Sequence, residues 1–303
     1  MDKKGSELEK RISVNTWLKH HYGVKVYKLA LSTGCTCPNR DGTLSTGGCI
    51  FCDGAGAFAQ RGDIKEQIKE ARALVSKKVK PGTKYIAYFQ SFTNTYGKPP
   101  EELEKMYREA IEPEDVVAIS IATRPDCLSE EMMEVLVRIH RVKPVWIELG
   151  LQTIHEQTAI YINRQYSLSV FDDAMKRLKA RGMTVIVHQM LGLPGETKEM
   201  MVETSRYIGK SGADGVKLHL LHILAGTKMA REWKKGKVSV LSLEEYIDIL
   251  IDCLYVLPKE VILHRLTGDG QKKDLLAPLW SGDKKRVMNT VKKALEEAGM
   301  IIV

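Results

Sequence analysis

Residues 116–152 read VVAISIATRPDCLSEEMMEVLVRIHRVKPVWIELGLQ. Two apolar, β-branched runs, beginning at Val116 and Val145, enclose a stretch from Glu130 to His140 whose apolar residues recur at helical spacing. Strand, amphipathic helix and strand within about 30 residues form one βα unit of a parallel sheet.

Outward from this unit the pattern repeats. Further strand-like runs begin near Val24 (VKVYKLAL), Tyr85 (YIAYFQ), Thr184 (TVIVHQML) and Val216 (VKLHLLHI), with amphipathic stretches over 64–80, 101–111, 170–181 and 198–210. The first interval, 61 residues against 29 to 39 for the others, holds a cysteine-rich loop that accounts for its excess. After Gly226 the pattern changes to a basic KKGK (234–237), a helix opened by the capping box Ser242-x-x-Glu245, a seventh strand over 261–266 and a basic final helix over 284–298. The expected organisation is an N-terminal helical segment (1–23), an α/β core (24–226) and a C-terminal α/β extension packed on it (227–303). In such a core, chemistry collects where the C-terminal strand ends meet the loops.

Composition narrows the class. With 303 residues, 44% apolar and 28% charged, the chain is an ordinary globular one. No apolar run approaches the ~18–20 residues that cross a bilayer, and the charged start MDKKGSELEKR has no signal-peptide core. A soluble cytoplasmic protein without a membrane partner is expected. The net charge of +8 suits a polyanion partner or simply a solvated surface.

Four of the six cysteines, Cys35, Cys37, Cys49 and Cys52, fall within 18 residues, whereas Cys127 and Cys253 stand alone and read as core residues. In a reducing compartment such a cluster reads as metal ligands or reactive thiols. Cys49-x2-Cys52 is a metal-binding hairpin, and Cys37 lies eleven residues before it. Three thiolates hold three irons of a [4Fe–4S] cluster and leave the fourth open. With Cys35 as a fourth ligand, the same loop is a structural zinc knuckle. Spacing leaves both open.

The surroundings of the loop resemble those of radical S-adenosylmethionine (radical SAM) enzymes, whose three cysteines follow the first barrel strand with an aromatic residue, here Phe51, before the third. TRPD (123–126), ELGLQT (148–153), INR (162–164) and HQMLGLPGET (188–197) match in order the radical-SAM half of the Elongator catalytic subunit. CPNRDGT (37–43), YFQ-x-x-TNTY (88–96), TRPDCL (123–128), KLHLLH (217–222) and HRLTGDG (264–270) match a shorter bacterial and archaeal family similar to that half, without its acetyltransferase domain. The resemblance implies a partial (β/α)6, TIM-like barrel.

It also implies a site. Cys37, Cys49 and Cys52 would hold the cluster, and Cys35, where that family usually has an aromatic residue, would be a buried thiol. S-adenosylmethionine would bind the open iron through its amino and carboxylate groups, with Phe51 against the adenine. Gln90 and Ser91 are candidates for its ammonium, with Thr93 and Asn94 nearby, unless they only cap a strand. Gln152 and His188 would address ribose and Arg164 the carboxylate. Gly192 and Leu193 belong to a turn beneath the adenine. Glu148, Lys217, His219 and Arg265 are substrate candidates, and Arg124 could pair with Asp126.

The implied activity is reductive cleavage of S-adenosylmethionine to a 5′-deoxyadenosyl radical that abstracts hydrogen from substrate. The leading substrate is a tRNA wobble uridine, approached through basic stretches at 77–80, 234–237, 272–273 and 284–286. A small molecule or protein side chain, or a non-catalytic zinc-stabilised RNA-binding module, are the alternatives. A donor such as flavodoxin or ferredoxin would supply the electron.

Overall fold

The computed structural model describes residues 8–54, 62–268 and 273–303. In chain order the elements are β1 (Glu9–Arg11), α1 (Val14–Tyr22), β2 (Val26–Leu31), α2 (Ile64–Val75), β3 (Lys84–Phe89), α3 (Pro100–Ile111), β4 (Val116–Thr123), α4 (Glu130–His140), β5 (Val145–Gln152), α5 (Glu156–Tyr161), α6 (Leu168–Ala180), β6 (Thr184–Leu191), α7 (Lys198–Lys210) and β7 (Gly215–Leu220). The chain continues through β8 (Ile223–Leu224), α8 (Lys228–Lys234), α9 (Leu243–Val256), β9 (Ile262–Arg265), β10 (Leu275–Ala277), α10 (Lys284–Glu297) and β11 (Met300–Ile302).

Seven strands form one parallel sheet in the order β2-β3-β4-β5-β6-β7-β9, a curled partial barrel. The six expected strands are all present, and the periodicity located the intervening helices to within a few residues. The seventh strand does not stand outside the barrel sheet: Gly215 and Val216 of β7 pair with Ile262 and Leu263 of β9. The expected helical segment at the N-terminus also contains β1, which pairs in parallel with β11 and ties the two ends of the fold together. Helix α9 starts with the expected box, Ser242 and Glu245 bonding each other's backbone N–H.

The inward side chains follow the strand period of two and form layers. At the strand starts Val26, Ile86, Ala118, Trp146 and Ile186 make an apolar layer that Val14 and Leu18 of α1 close from below. Trp17 meets Trp146 edge-on at 5.7 Å between ring centroids. Helix α1 is thus the plug of the barrel's lower end. Two residues further along each strand stand Lys28, Tyr88, Ser120, Glu148, His188 and Lys217, a polar layer. Two further still, Ala122 and Gly150 are small, and that leaves room for a cavity.

Candidate active site

The cavity occupies about 310 Å³ at the C-terminal ends of the strands, within the lower range of small-molecule sites. Cys37, Cys49 and Cys52 line it together with Phe51, and across from them lie Gln90, Gln152 and Arg164. His188 and Glu148 form its inner end. These nine residues, with Thr93 and Arg124, make eleven singled out in the sequence that meet at one void.

The cysteine loop is fastened from two sides. Asn163 Nδ2 donates to the Gly48 carbonyl at 2.9 Å, and Ile50 N donates to the Ile162 carbonyl at 3.1 Å. Met229 N, in the first turn of α8, donates to the Ile50 carbonyl at 2.8 Å. Two donors reach sulfur: Asn39 Nδ2 lies 3.5 Å from Cys49 Sγ, and Arg40 Nη1 lies 3.5 Å from Cys52 Sγ. Burial pushes the Cys49 thiol up to about 11, so a metal centre here forms with release of protons. Among the described residues no three His, Cys, Asp or Glu side chains are gathered as for a single metal ion, but three cysteines lining one void, two of them receiving N–H groups at sulfur, fit the wider iron–sulfur cluster.

Cys35 does not join them. It is buried in the main core and lines a separate, larger recess of about 820 Å³ beyond Phe92. Burial raises its pKa, with the Thr33 hydroxyl opposing the rise. Ser91 also faces this recess rather than the cysteine cavity. Thr93 lines the cavity, whereas Asn94 is fully buried and ties the Thr33 hydroxyl to the carbonyls of Phe89 and Ala122.

The arginines are held in a stack that no sequence motif announced. Two guanidinium groups lie over the Tyr166 ring, Arg124 at 5.0 Å and Arg164 at 4.6 Å from its centroid, each a cation–π contact. Its hydroxyl donates to the Gly150 carbonyl at 2.6 Å. Arg124 is clamped by Asp126 through two bonds of 2.9 and 2.6 Å, so the expected pair forms, and Arg124 also lines the cavity. Arg164 is 1% exposed. It donates to the carbonyls of Leu151 (3.2 Å), Thr153 (2.6 Å) and Tyr166 (3.0 Å) and reaches Glu156 at 3.4 Å. Four of its five N–H groups are thereby committed, and one remains for a ligand.

Gln152 sits at φ +69° and Phe92 at φ +58°, left-handed conformations that side chains other than glycine adopt at a cost. Both border the cavity, as stored strain often does at a functional site. Gly192 and Leu193 do not line it. Gly192 (φ +87°) leaves space for Leu241, which a Cβ there would meet at 3.1 Å, and Leu193 is a core residue.

Beneath the cavity Glu148 is the hub of the polar layer. It accepts from Lys28 and Ser120 at 3.0 Å, Tyr88 at 2.9 Å and Lys217, and lies 3.1 Å from His188 Nε2. Burial disfavours its charge, but Lys217 and Lys28 outweigh that and hold its carboxyl well below the usual range. Burial lowers Lys217 to about 7 against the pull of Glu148. His188 falls to about 4 for the same reason, the Glu148 bond opposing. His219 lies beside His188, ring centroids 5.0 Å apart, and is held neutral by burial. Lys217, His219 and Arg265 do not border the cavity, although Arg265 is close enough to bear on the charge of both Lys217 and His188.

Barrel, loop and site define a class. A model of the radical SAM superfamily matches residues 33–208, and one of the radical SAM C-terminal domain matches residues 213–297. The chain belongs to the radical SAM superfamily, whose members use a [4Fe–4S] cluster and S-adenosylmethionine.

Among particular relatives, it is 42% identical to YtqA of Bacillus subtilis over 97% of this chain and 92% of that one. It is 36% identical to YhcC of Escherichia coli K12 over 93% and 91%. A tRNA uridine(34) acetyltransferase of Methanocaldococcus jannaschii matches at 29% identity over 50% of this chain and 28% of its own length. The solved structure of Elp3 from Methanocaldococcus infernus superposes with a TM-score of 0.71 at 20% identity, covering 91% of this chain and 63% of that one.

Proposed function

We propose that this protein is a tRNA-modifying radical SAM enzyme whose substrate is the wobble uridine. Cys37, Cys49 and Cys52 are its cluster ligands, and the adjoining cavity takes S-adenosylmethionine. The observation that carries the site assignment is three thiols on one cavity with Cys35 turned into the core. When bound, the cluster and S-adenosylmethionine supply an organic radical able to abstract hydrogen. The chain's own task is positioning. Gln152, Arg164 and His188 are set to orient the cofactor's polar groups, Phe51 offers a face for its adenine, and the plugged barrel keeps water from below.

The choice of a tRNA uridine rests on relatives in which half of this chain recurs. Besides the archaeal acetyltransferase, Elongator complex protein 3 of Schizosaccharomyces pombe is 26% identical over 57% of this chain and 32% of its own. Exposed lysines at the end of α8 and in the first turn of α10 offer phosphate contacts. Lys272 of the expected basic stretches, and Asp269 and Gly270 of the HRLTGDG motif, lie outside the described residues. In this reading the enzyme works in the cytoplasm with a reductant such as flavodoxin or ferredoxin. Among the described residues no helix is long and apolar enough to cross a membrane.

The test is a nucleoside-by-nucleoside comparison of bulk tRNA from a deletion strain and its parent. Loss of one modified uridine, restored by the wild-type gene but not by a Cys49→Ala copy, is expected. Identical nucleoside profiles would remove tRNA from the account and favour a small-molecule or protein substrate.

A further inference from the structure

We infer that Arg40 is a charge-tuning residue of the metal centre, its guanidinium raising the reduction potential of the cluster held by Cys37, Cys49 and Cys52. This rests on the ligand assignment proposed above. Arg40 Nη1 donates to Cys52 Sγ at 3.5 Å and to the Gly47 carbonyl at 3.2 Å, and the guanidinium carbon lies 5.8 Å from the centroid of the Phe92 ring. The group therefore lies between a ligand sulfur and one wall of the cavity.

The chain makes room for this placement at two positions. Gly48 (φ +79°) and Gly54 (φ +71°) flank the arginine. A Cβ at 48 would stand 2.8 Å from Nη1, and one at 54 would overlap Nη2 and Cζ outright. Either side chain would evict the guanidinium from the sulfur. Both positions have a backbone that favours glycine, so the geometry that frees space for Arg40 is set by the loop itself.

The consequence is electrostatic. Reducing the cluster adds one negative charge to it. A fixed cation bonded to a ligand sulfur stabilises that charge more than the oxidised state, and hydrogen bonds to sulfur together with net charge are main determinants of such potentials. Guanidinium keeps its charge at any working pH. A residue that only pinned the loop through Gly47 would hold the cluster without moving its potential.

The experiment is a redox titration, followed by the electron paramagnetic resonance signal of the reduced cluster, on the anaerobically reconstituted full chain. At the wild-type midpoint, Arg40→Gln with full iron and sulfide content should hold at least tenfold less reduced relative to oxidised cluster. That ratio is 59 mV for a one-electron couple. Arg40→Lys, which keeps the charge, should stay within threefold. Thr43→Val removes the 2.7 Å contact with Tyr96 in the same loop and serves as the control for loop disturbance. Its potential should not move.

An Arg40→Gln protein with a full cluster and the wild-type ratio overturns the inference, as does an equal shift in Thr43→Val or Arg40→Lys. If Arg40→Gln fails to hold a cluster, Gly54→Ala decides, because it keeps the arginine and displaces its head. An unshifted potential there also overturns the inference. Failure of the underlying assignment looks different: the cluster would survive Cys52→Ala.

Discussion

Lys217 donates to Glu148 inside the barrel, both side chains shut off from water. A buried pair of this kind gives no assurance of net stabilisation, but removing one partner strands the other in a low dielectric. Glu148 neutralises Lys28 as well, so it is the member whose loss matters most.

Glu148→Gln should therefore destabilise the fold by about 3–5 kcal/mol in urea unfolding of the apoprotein. Ser120→Ala, which deletes one neutral donor to the same carboxylate, should cost about 1 kcal/mol. A Glu148→Gln protein within 1 kcal/mol of wild type would show that the layer does not depend on this charge.

Each of Cys37→Ala, Cys49→Ala and Cys52→Ala should abolish iron retention and cleavage of S-adenosylmethionine. Cys35→Ala should leave both near wild type, because that thiol lies in the core beside the other recess. Iron and sulfide analysis after reconstitution reads this directly. Cluster loss in Cys35→Ala together with an active Cys37→Ala would reverse the assignment.

The strands and most helices were legible because their apolar residues keep a strict period over six to fourteen residues. The polar layer was partly legible too: Lys217 and His219 share a strand face, and Glu148 falls within a motif. What the period could not reveal was pairing across long separations. The three-residue strands β1 and β11 meet only because the fold brings the two ends together. Tyr166 belongs to none of the recognised motifs, and its role arises from where Arg124 and Arg164 arrive in space. Gly192 was legible as a turn glycine, but what its missing Cβ makes room for, Leu241, lies 49 positions on and no local pattern could show it.

Tyr166 should matter through its ring more than its hydroxyl. Tyr166→Phe keeps both cation–π contacts and loses only the bond to Gly150, whereas Tyr166→Leu removes the ring that both guanidinium groups lie over. Two contacts of about 0.5–1 kcal/mol each hold the guanidinium groups in place before the cofactor arrives, so losing that preorganisation in Tyr166→Leu should weaken S-adenosylmethionine binding by at most roughly thirtyfold. Calorimetric titration of the reconstituted proteins checks it. Equal affinities for the two variants would remove the stack from cofactor binding.

The histidines make the fold acid-sensitive. His188 is neutral in the native state down to about pH 4, whereas an unfolded histidine titrates near 6.5. Between those values the unfolded chain binds the extra proton, so stability falls as pH falls through this window. From pH 7.5 to pH 5 the loss assigned to His188 is about 2 kcal/mol. His219 and His264, also lowered by burial, act in the same sense. Urea unfolding at the two pH values should give a pH difference about 2 kcal/mol smaller in His188→Gln than in wild type. An unchanged difference would mean that His188 is already charged in the native state.

The last prediction concerns the polyanion. Each lysine that contacts a phosphate releases condensed counterions, so tRNA affinity should fall steeply with salt, and losing such lysines should flatten the slope. Replacing Lys234, Lys235 and Lys237 together by Ala is the direct trial. Lys235 and Lys237 both lean on Glu232, at 3.2 and 3.6 Å, so part of their charge is already countered and they must leave that partner to meet RNA. The slope should therefore drop by less than three contacts' worth, and Glu232→Gln alone should strengthen binding. Cleavage of S-adenosylmethionine without substrate should stay near wild type in all of these, because the cavity is built from strand ends and the cysteine loop, and none of the four side chains borders it. Affinity measured at several salt concentrations decides: an unchanged slope in the triple variant, or weaker binding by Glu232→Gln, would take this surface out of RNA recognition.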